Sequence, residues 1–235
     1  MQFSTQHKQL AILIDPHKGG NQLAELLPLL QANPPHYVLV GGSMVSDTTT
    51  SVIETIRKYV SSPILLFPGS AAQISPAADA LMYLSLISGR NPEFLIGQHV
   101  QSALQVYQSN LPVIPVGYML IESGGVTSVQ YVSNTQPIPR TKNDIAVATA
   151  LAGQYLGQQA IYLEGGSGAK MPVEPAMIAA VKQHVSIPLI VGGGIRTPQA
   201  MLQAFQAGAD VVVIGNVLEE NPALYTELVQ QLALL

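Results

Sequence analysis

The 235-residue sequence contains no cysteine and few charged residues. Without cysteine, disulfide bonds and thiolate metal sites are excluded. Charged residues make up 10% of the chain and hydrophobic residues 48%, whereas an average globular protein has about 25% charged residues. This composition favours a large core, as when helices cover both faces of a parallel sheet. It also favours a homo-oligomer, such as a dimer or hexamer, or an apolar ligand.

Long hydrophobic runs and basic runs are missing as well. Gly, Pro or a polar residue interrupts each apolar run well before the ~20 residues that a transmembrane helix needs, so we expect no integral membrane segment. The first residues lack the basic-then-apolar plan of a signal peptide. With a net charge of −4 and no basic cluster, nucleic acid is not an expected partner. The sequence predicts a cytoplasmic protein with one domain, residues 1–235.

A short apolar run, a turn with Gly, Ser or Asp, and an amphipathic stretch recur along the chain. The runs that predict strands are residues 10–14, 37–40, 64–67, 80–84, 113–121, 160–163, 189–191 and 210–214. The stretches that predict helices are residues 22–31, 49–60, 92–108, 143–156, 175–184, 198–206 and 222–234. Alternating strands and helices imply parallel crossovers, and eight such units favour a closed α/β barrel, the TIM (β/α)8 fold.

Two connections depart from this pattern. Residues 68–76, after the third strand, are too few and too closely flanked by proline for a full helix, so the barrel is modified: non-helical chain replaces its third helix. Residues 124–127 suggest a small hairpin leading into residues 128–133. No turn carries the G-x-G-x-x-G dinucleotide signature.

The last two predicted strands end in glycine-rich turns that predict a phosphate site. Gly193 and Gly194 follow the seventh strand, and Gly215 and Asn216 follow the eighth. Glycine lets backbone N–H groups approach a ligand closely, and the loops after strands 7 and 8 often bind phosphate in TIM barrels. The alternative is that these glycines only make tight turns.

The sixth predicted strand ends in a segment that predicts both a base and a phosphate contact: Tyr162, Leu163, Glu164, Gly165, Gly166, Ser167 and Gly168. Glu164 would face the barrel mouth, where it could bind a substrate hydroxyl and accept its proton. Ser167 and nearby N–H groups could bind phosphate oxygens. Alternatively, Glu164 pairs with Lys170 or Arg196 as scaffold, or it binds a metal.

Asp15 follows the first strand and Ser43 the second, a pair that suits a partly hydrated Mg²⁺. The alternative for Asp15 is a helix N-cap or an ion pair with Lys18. His17 and Lys18 could neutralise a second phosphate group. The residues thus indicate two anion sites on one barrel mouth, with a carboxylate between them.

The chain resembles the geranylgeranylglyceryl phosphate synthase family, which includes the bacterial heptaprenylglyceryl phosphate synthases. The segments that carry the resemblance span most of the chain: residues 13–16, 40–43, 88–92, 96–99, 162–168, 191–196 and 214–216. Tyr-Leu-Glu with Gly-Ser-Gly, joined to the Asp-Pro and Asn-Pro segments, is the specific part. The glycine-rich endings alone recur in many phosphate-binding barrels.

The resemblance implies a Mg²⁺-dependent prenyltransferase for the first step of ether-lipid synthesis, with geranylgeranyl preferred as the prenyl group. Asp15 and Ser43 would hold Mg²⁺ against the prenyl diphosphate. The residues that would enclose sn-glycerol 1-phosphate are Tyr162 to Gly168, Gly193, Gly194, Gly215 and Asn216. Glu164 would meet a glycerol hydroxyl. The family also has a barrel whose third helix is replaced by non-helical chain, and its archaeal-like branch tends to form larger homo-oligomers.

The chain departs from part of that family. Some bacterial members carry a lysine two residues before the aspartate, where this sequence has Leu13. The Asp-Asp-x-x-Asp motif of helical prenyltransferases is also absent. Tyr118 and Tyr131 are candidates for the apolar groove that a prenyl tail needs. Arg90 and Asn91 lie in the turn between the fourth predicted strand and the helix at residues 92–108. We expect Asn91 to cap that helix, whereas Arg90 could cap it or reach the diphosphate. We expect His99, inside the helix, to be a packing residue.

Two other functions remain open from the residues alone. One is a phosphosugar isomerase or lyase of the tryptophan or histidine pathways, in which Asp15 and Glu164 would form a metal-free acid/base pair. The other is an inactive barrel that serves as a phosphate-ligand sensor or scaffold. A Mg²⁺ requirement distinguishes the transferase from the isomerase.

Overall fold

The computed structural model describes residues 3–18, 20–42, 49–70 and 73–235. Eight parallel strands pair in chain order, and the eighth pairs with the first to close the barrel. They are β1 (Gln9–Ile14), β2 (Tyr37–Val40), β3 (Ile64–Leu66), β4 (Ala80–Leu86), β5 (Val113–Leu120), β6 (Ala160–Glu164), β7 (Leu189–Gly192) and β8 (Val211–Ile214). The predicted TIM barrel is confirmed.

Helices lie outside the barrel and connect its strands. They are α1 (Gly20–Ala32), α2 (Thr49–Arg57), α3 (Gln98–Ser109), α4 (Ser128–Ser133), α5 (Asn143–Tyr155), α6 (Pro175–Lys182), α7 (Pro198–Gln206), α8 (Asn216–Glu220) and α9 (Leu224–Leu232). A 3₁₀ turn (Pro16–Lys18) precedes α1, and a π-helical turn (Glu93–Gly97) precedes α3. Pro175 and Pro198 begin their helices because proline lacks the N–H that a first helical residue leaves unpaired. No helix in the described ranges is long and apolar enough to cross a bilayer.

Side chains alternate along each strand between the barrel interior and the helical layer. In β6, Ala160 and Tyr162 belong to the interior cluster, whereas Ile161 and Leu163 pack in the cluster between strands and helices. Because this alternation has a period of two, Glu164 points to the same side as Tyr162. The strand therefore directs its carboxylate to the axis of the barrel mouth.

The structure confirms one irregular connection and corrects another. The described residues between β3 and β4 contain no helix, as the sequence predicts. The hairpin prediction at residues 124–127 is wrong, because these residues lead into the short helix α4. Thr127 has an extended backbone and its hydroxyl accepts a hydrogen bond from the Gln130 N–H at 3.4 Å, which is an N-cap. The helix α8, directly after β8, is absent from the sequence prediction.

A buried ion pair lies at the opposite rim of the barrel. Asp210 is 3% exposed, and its Oδ2 lies 2.6 Å from the Lys182 Nζ. The same oxygen accepts a hydrogen bond from the Leu189 N–H at 2.8 Å. These contacts connect α6 to the beginnings of β7 and β8. The pair therefore stabilises the barrel at the amino ends of its strands.

Candidate active site

A cavity of about 320 Å³ opens at the carboxyl ends of the strands. Most of the predicted site residues line it: Asp15, Tyr162, Glu164, Gly166, Ser167, Gly168, Gly193, Gly194, Gly215 and Asn216. Leu163 and Gly165 do not. The Leu163 side chain packs behind the strand, where it touches the helical layer. It could therefore contribute to a ligand site only through its backbone.

Glu164 is a buried carboxylate, and the described residues provide no cationic partner for it. It is 5% exposed, and its Oε1 accepts a hydrogen bond from the Gly166 N–H at 2.6 Å. No ion pair in the described part of the chain includes Glu164, and Arg196 instead lies 3.4 Å from Glu220. Glu164 therefore forms no ion pair with Lys170 or Arg196, and the alternative of a structural role through such a pair is wrong.

Burial raises the pKa of Glu164 above its ordinary value, because the apolar surroundings disfavour the charged form. The N–H of Gly166 opposes this rise. The neighbouring Tyr162 hydroxyl also opposes it, although that hydroxyl makes no hydrogen bond of ordinary geometry. A carboxylate with a raised pKa accepts a proton more readily than an exposed one, which is what a general base requires.

The turn after β7 lies directly against Glu164. Gly193 has a φ of +80°, and a Cβ at this position would contact the Glu164 Oε1 and come within 2.7 Å of the Gly165 and Gly166 nitrogens. Only glycine combines this backbone conformation with so close an approach. The turns after β6 and β7 are therefore built around the carboxylate.

Neutral hydrogen-bond donors gather beside these turns. Asn216, the first residue of α8, donates from Nδ2 to the Ser167 Oγ at 3.1 Å and so connects the turns after β8 and β6. Arg196 lines the same part of the cavity but is largely exposed. Hydroxyl, amide and glycine N–H groups in this location suit a phosphate group.

Asp15 lies across the mouth, at the end of β1, and is half-buried. Its Oδ1 accepts a hydrogen bond from the His17 N–H at 3.0 Å, so the capping alternative is present in part. Its carboxyl lies over Gly42, where a Cβ would come within 2.9 Å of Oδ2. Ser43 and the side chain of Lys18 lie outside the described residues.

The donors around Asp15 suit Mg²⁺ better than a transition metal. Among the described residues, no group of three or more His, Asp or Glu side chains could enclose a metal ion. Mg²⁺ is commonly held by one or two carboxylates together with water and substrate phosphates. A single half-buried carboxylate at a phosphate-binding mouth matches that chemistry.

An apolar arm of the cavity extends from the mouth toward β4, α3 and α4. We use this name for the part lined by Leu84, Leu86, Phe94, Val129 and Val132. Tyr118 lines the cavity as predicted, but the prediction for Tyr131 is wrong, because its side chain is 83% exposed. The arm suits a long hydrocarbon chain, whose burial is favourable in proportion to its area.

Comparisons with known proteins identify the family. The model of the PcrB family matches residues 4–232. The chain belongs to the PcrB family.

Two bacterial relatives are named geranylgeranylglyceryl phosphate synthase. The geranylgeranylglyceryl phosphate synthase of Spirosoma linguale is 48% identical over 223 residues, which cover 94% of this chain and 90% of that protein. That of Chitinophaga pinensis is 46% identical over 223 residues, 94% of this chain and 88% of that protein. The resemblance stated from the sequence is confirmed.

A solved structure of the same enzyme has the same fold. It is the crystal structure of the (S)-3-O-geranylgeranylglyceryl phosphate synthase from Thermoplasma acidophilum in complex with its substrate sn-glycerol-1-phosphate. The TM-score is 0.91 at 32% identity, covering 98% of this chain and 95% of that one. The modified barrel is thus shared with a synthase of known structure.

In this member of the PcrB family, Asn91 connects two elements at the turn after β4. Asn91 donates from Nδ2 to the Ser133 carbonyl at 2.7 Å and accepts from the Glu93 N–H at 3.1 Å, so it joins α4 to the π-helical turn. His99 is buried, with its ring edge-on to Tyr83. Arg90 is exposed and donates to the Gly89 carbonyl at 2.8 Å.

Sequence reasoning missed Phe67 and Phe94, which both line the cavity. Phe67 directly follows β3, at the carboxyl end where TIM barrels place their sites, so its position was a usable signal. Phe94 lies in a helical stretch, and no local pattern shows which face of that stretch meets the cavity.

Proposed function

We propose that this chain transfers a long prenyl group, preferably geranylgeranyl, from its diphosphate to the terminal hydroxyl of sn-glycerol 1-phosphate. The observation that carries the proposal is Glu164, a buried carboxylate without an ion-pair partner among the described residues. It lines one cavity together with the glycine turns and Asp15. The names of the relatives and the ligand of the Thermoplasma acidophilum enzyme support the choice of substrates.

Glycerol 1-phosphate would bind to the turns after β6, β7 and β8, and Glu164 would act on its hydroxyl. Glycerol 1-phosphate would place its phosphate against Ser167, Asn216 and the turns after β6 to β8, with its terminal hydroxyl at Glu164. As the hydroxyl oxygen forms a bond to C1 of the prenyl group, the bond from C1 to the diphosphate oxygen breaks and its electron pair leaves with diphosphate. Glu164 accepts the hydroxyl proton. The product is an ether.

The other substrate would occupy the opposite side of the mouth and the apolar arm. Asp15 and Ser43 would hold Mg²⁺ there, and the ion would neutralise charge on the diphosphate. The prenyl tail would extend past Phe94 and Val129. The arm excludes water from the tail and keeps C1 at the mouth.

We also propose that the protein works as a cytoplasmic homo-oligomer. Four apolar side chains form an exposed stripe along the π-helical turn and α3, namely Ile96, Val100, Leu104 and Tyr107, which are 58%, 68%, 75% and 81% exposed. Contiguous apolar patches on a surface mark interaction sites. Light scattering on the purified protein and on a Leu104→Glu variant would test this; a monomeric wild type would contradict it.

The test of the reaction is diphosphate release from geranylgeranyl diphosphate, with glycerol 1-phosphate and Mg²⁺ each withheld in turn. We expect turnover only when all three are present, and a loss of about 10²-fold in Asp15→Ala, because charge on the leaving group would no longer be balanced. Asp79→Ala is the matched control, since Asp79 is a half-buried carboxylate that pairs with Arg57 and does not line the cavity. If no prenyl length supports turnover in the folded protein, the isomerase or sensor function would replace this proposal.

A further inference from the structure

Three aromatic side chains meet beneath Glu164, and we call Phe67, Tyr118 and Tyr162 the aromatic floor. The Tyr118 and Tyr162 rings stack, with centroids 5.3 Å apart and an interplanar angle of 24°. Phe67 lies edge-on to Tyr162 at 5.5 Å and 6.0 Å from Tyr118. All three line the cavity. Three elements that are distant in sequence thus converge on one point below the mouth.

The location of the aromatic floor follows from the strand register. Tyr118 in β5 is the direct neighbour of Tyr162 in β6, and Glu164 lies two residues further along β6, on the same face. Elsewhere the barrel interior is filled largely by aliphatic side chains such as Leu39, Leu65, Met82, Val116, Ile190 and Val213. Of the five buried aromatic side chains in this interior cluster, Phe3 and Tyr37 pack against each other, and the other three lie next to the carboxylate, where packing alone would accept aliphatic residues.

The hydroxyls of Tyr118 and Tyr162 remain protonated and neutral. Burial raises the pKa of both Tyr118 and Tyr162 well above the ordinary value, and the nearby Glu164 adds to the rise. The Tyr162 hydroxyl is buried and interacts with the Glu164 carboxyl without a hydrogen bond of ordinary geometry. A buried hydroxyl that is only partly satisfied is unfavourable and calls for an explanation. The aromatic floor thus presents electron-rich rings and phenol oxygens to the cavity.

We propose that the aromatic floor stabilises the positive charge that develops at C1 of the prenyl group during transfer. This inference rests on the proposed function. When the bond from C1 to diphosphate breaks ahead of full bond formation to the glycerol oxygen, its electron pair leaves with diphosphate and allylic positive charge develops on the prenyl group in the transition state. The glycerol hydroxyl oxygen completes its bond to C1 with a lone pair, and its proton passes to Glu164. Aromatic faces attract cations, most strongly in sites without water.

The expected position of C1 is closer to the rings than to the apolar arm. C1 would lie between the diphosphate near Asp15 and the hydroxyl at Glu164, and the floor residues line the same cavity as these two carboxylates, with Tyr162 two residues before Glu164 on the same face of β6. Stabilisation of a charge that exists only in the transition state raises the transfer rate without strengthening substrate binding. The inference therefore predicts that a less electron-rich ring in the aromatic floor lowers the transfer rate without weakening the binding of the prenyl substrate.

The test replaces Phe67 with 4-fluoro-, 3,5-difluoro- and 3,4,5-trifluorophenylalanine in the full chain. These residues keep the shape of the ring and withdraw electrons progressively from its face. Phe3, which is also buried in the interior cluster but does not line the cavity, is the matched control position. The measurements are the single-turnover rate of geranylgeranyl transfer with saturating glycerol 1-phosphate and the Kd of the unreactive geranylgeranyl thiolodiphosphate.

We expect the transfer rate to fall stepwise to about tenfold below wild type in the Phe67 series, a loss of about 1.4 kcal/mol in transition-state stabilisation. The Kd of the analogue should stay within about twofold, and the Phe3 series should leave both quantities unchanged. A flat rate in the Phe67 series, or equal losses in rate and affinity, would overturn the inference. If the unmodified protein transfers no prenyl group at all, the proposed function fails and this inference fails with it.

Discussion

Glu164 and Asp210 are both buried carboxylates of barrel strands or their flanks, yet their surroundings differ completely. Asp210, 3% exposed, lies just before β8 with the Lys182 ammonium 2.6 Å away and the Leu189 N–H at 2.8 Å. Glu164, 5% exposed, ends β6 with one backbone N–H and two phenol rings nearby. One charge is balanced by a cation, and the other is not.

This difference distinguishes a carboxylate that stabilises the fold, Asp210, from a candidate catalytic carboxylate, Glu164. A buried charge with a cation and backbone donors is satisfied by the folded chain itself, so it needs no ligand. A buried carboxylate without a cation costs stability, and such a cost is typical of residues that act on a substrate. The two carboxylates also lie at opposite rims, and TIM barrels keep function at the carboxyl ends of the strands and stability at the amino ends.

The largest effect that tests this comparison is on activity. Glu164→Gln should lower the transfer rate by about 10²- to 10⁴-fold, because an amide cannot accept the hydroxyl proton. The amide oxygen can still accept from the Gly166 N–H, so the melting temperature should not fall. Transfer assays and thermal unfolding of the same preparation measure both quantities. A variant that keeps activity within threefold of wild type would remove Glu164 from the mechanism.

A smaller loss should follow when the support of Glu164 is altered. Gly193→Ala adds a methyl group against the carboxyl at a φ of +80°, with a backbone cost of about 1–3 kcal/mol. Gly157→Ala is the matched control, because its φ is +90° but nothing lies within 4 Å of the added Cβ. Both variants should lose stability, measured by urea unfolding. Only Gly193→Ala should lose activity, about tenfold; equal activity in the two would contradict a role for the close approach.

At the other rim, Asp210→Asn should affect stability alone. The amide leaves Lys182 without its partner, and we expect a loss of about 2 kcal/mol in the free energy of unfolding, below the usual cost for a fully buried pair because the lysine side chain is 28% exposed. Urea unfolding measures this loss. The transfer rate per folded molecule should not change, and a large drop would show that the amino-terminal rim takes part in catalysis.

The smallest effect is on the pH dependence of stability. The pKa of Glu164 is raised in the folded state, so the folded protein holds its proton more tightly than the unfolded chain. Stability from this group is fully present below the ordinary glutamate pKa of 4.5 and is lost as the pH rises through the folded value. The melting temperature of wild type relative to Glu164→Gln should therefore fall between acidic and neutral pH. A constant difference would mean that the pKa is not raised.

Local patterns predicted the elements well where one signal dominated. The strands of the barrel follow from short apolar runs, since buried parallel strands are apolar on both faces. One misjudged segment was residues 124–127, where glycines suggested a hairpin although these residues lead directly into the helix α4. Its start carried a usable signal, because Thr127 followed by Gln130 three residues later is the pattern of a capping box.

The sequence by itself determined the barrel, the glycine turns after β6 to β8 and the position of Glu164 at a strand end, because periodicity and turn chemistry are local. Only the tertiary structure decided which carboxylate has a partner. Asp210 and Lys182 are 28 residues apart, and no spacing rule predicts their contact. Closure of the barrel likewise brought Phe67, Tyr118 and Tyr162 together beneath Glu164. Such contacts depend on strand register and packing between elements, which a single sequence does not show.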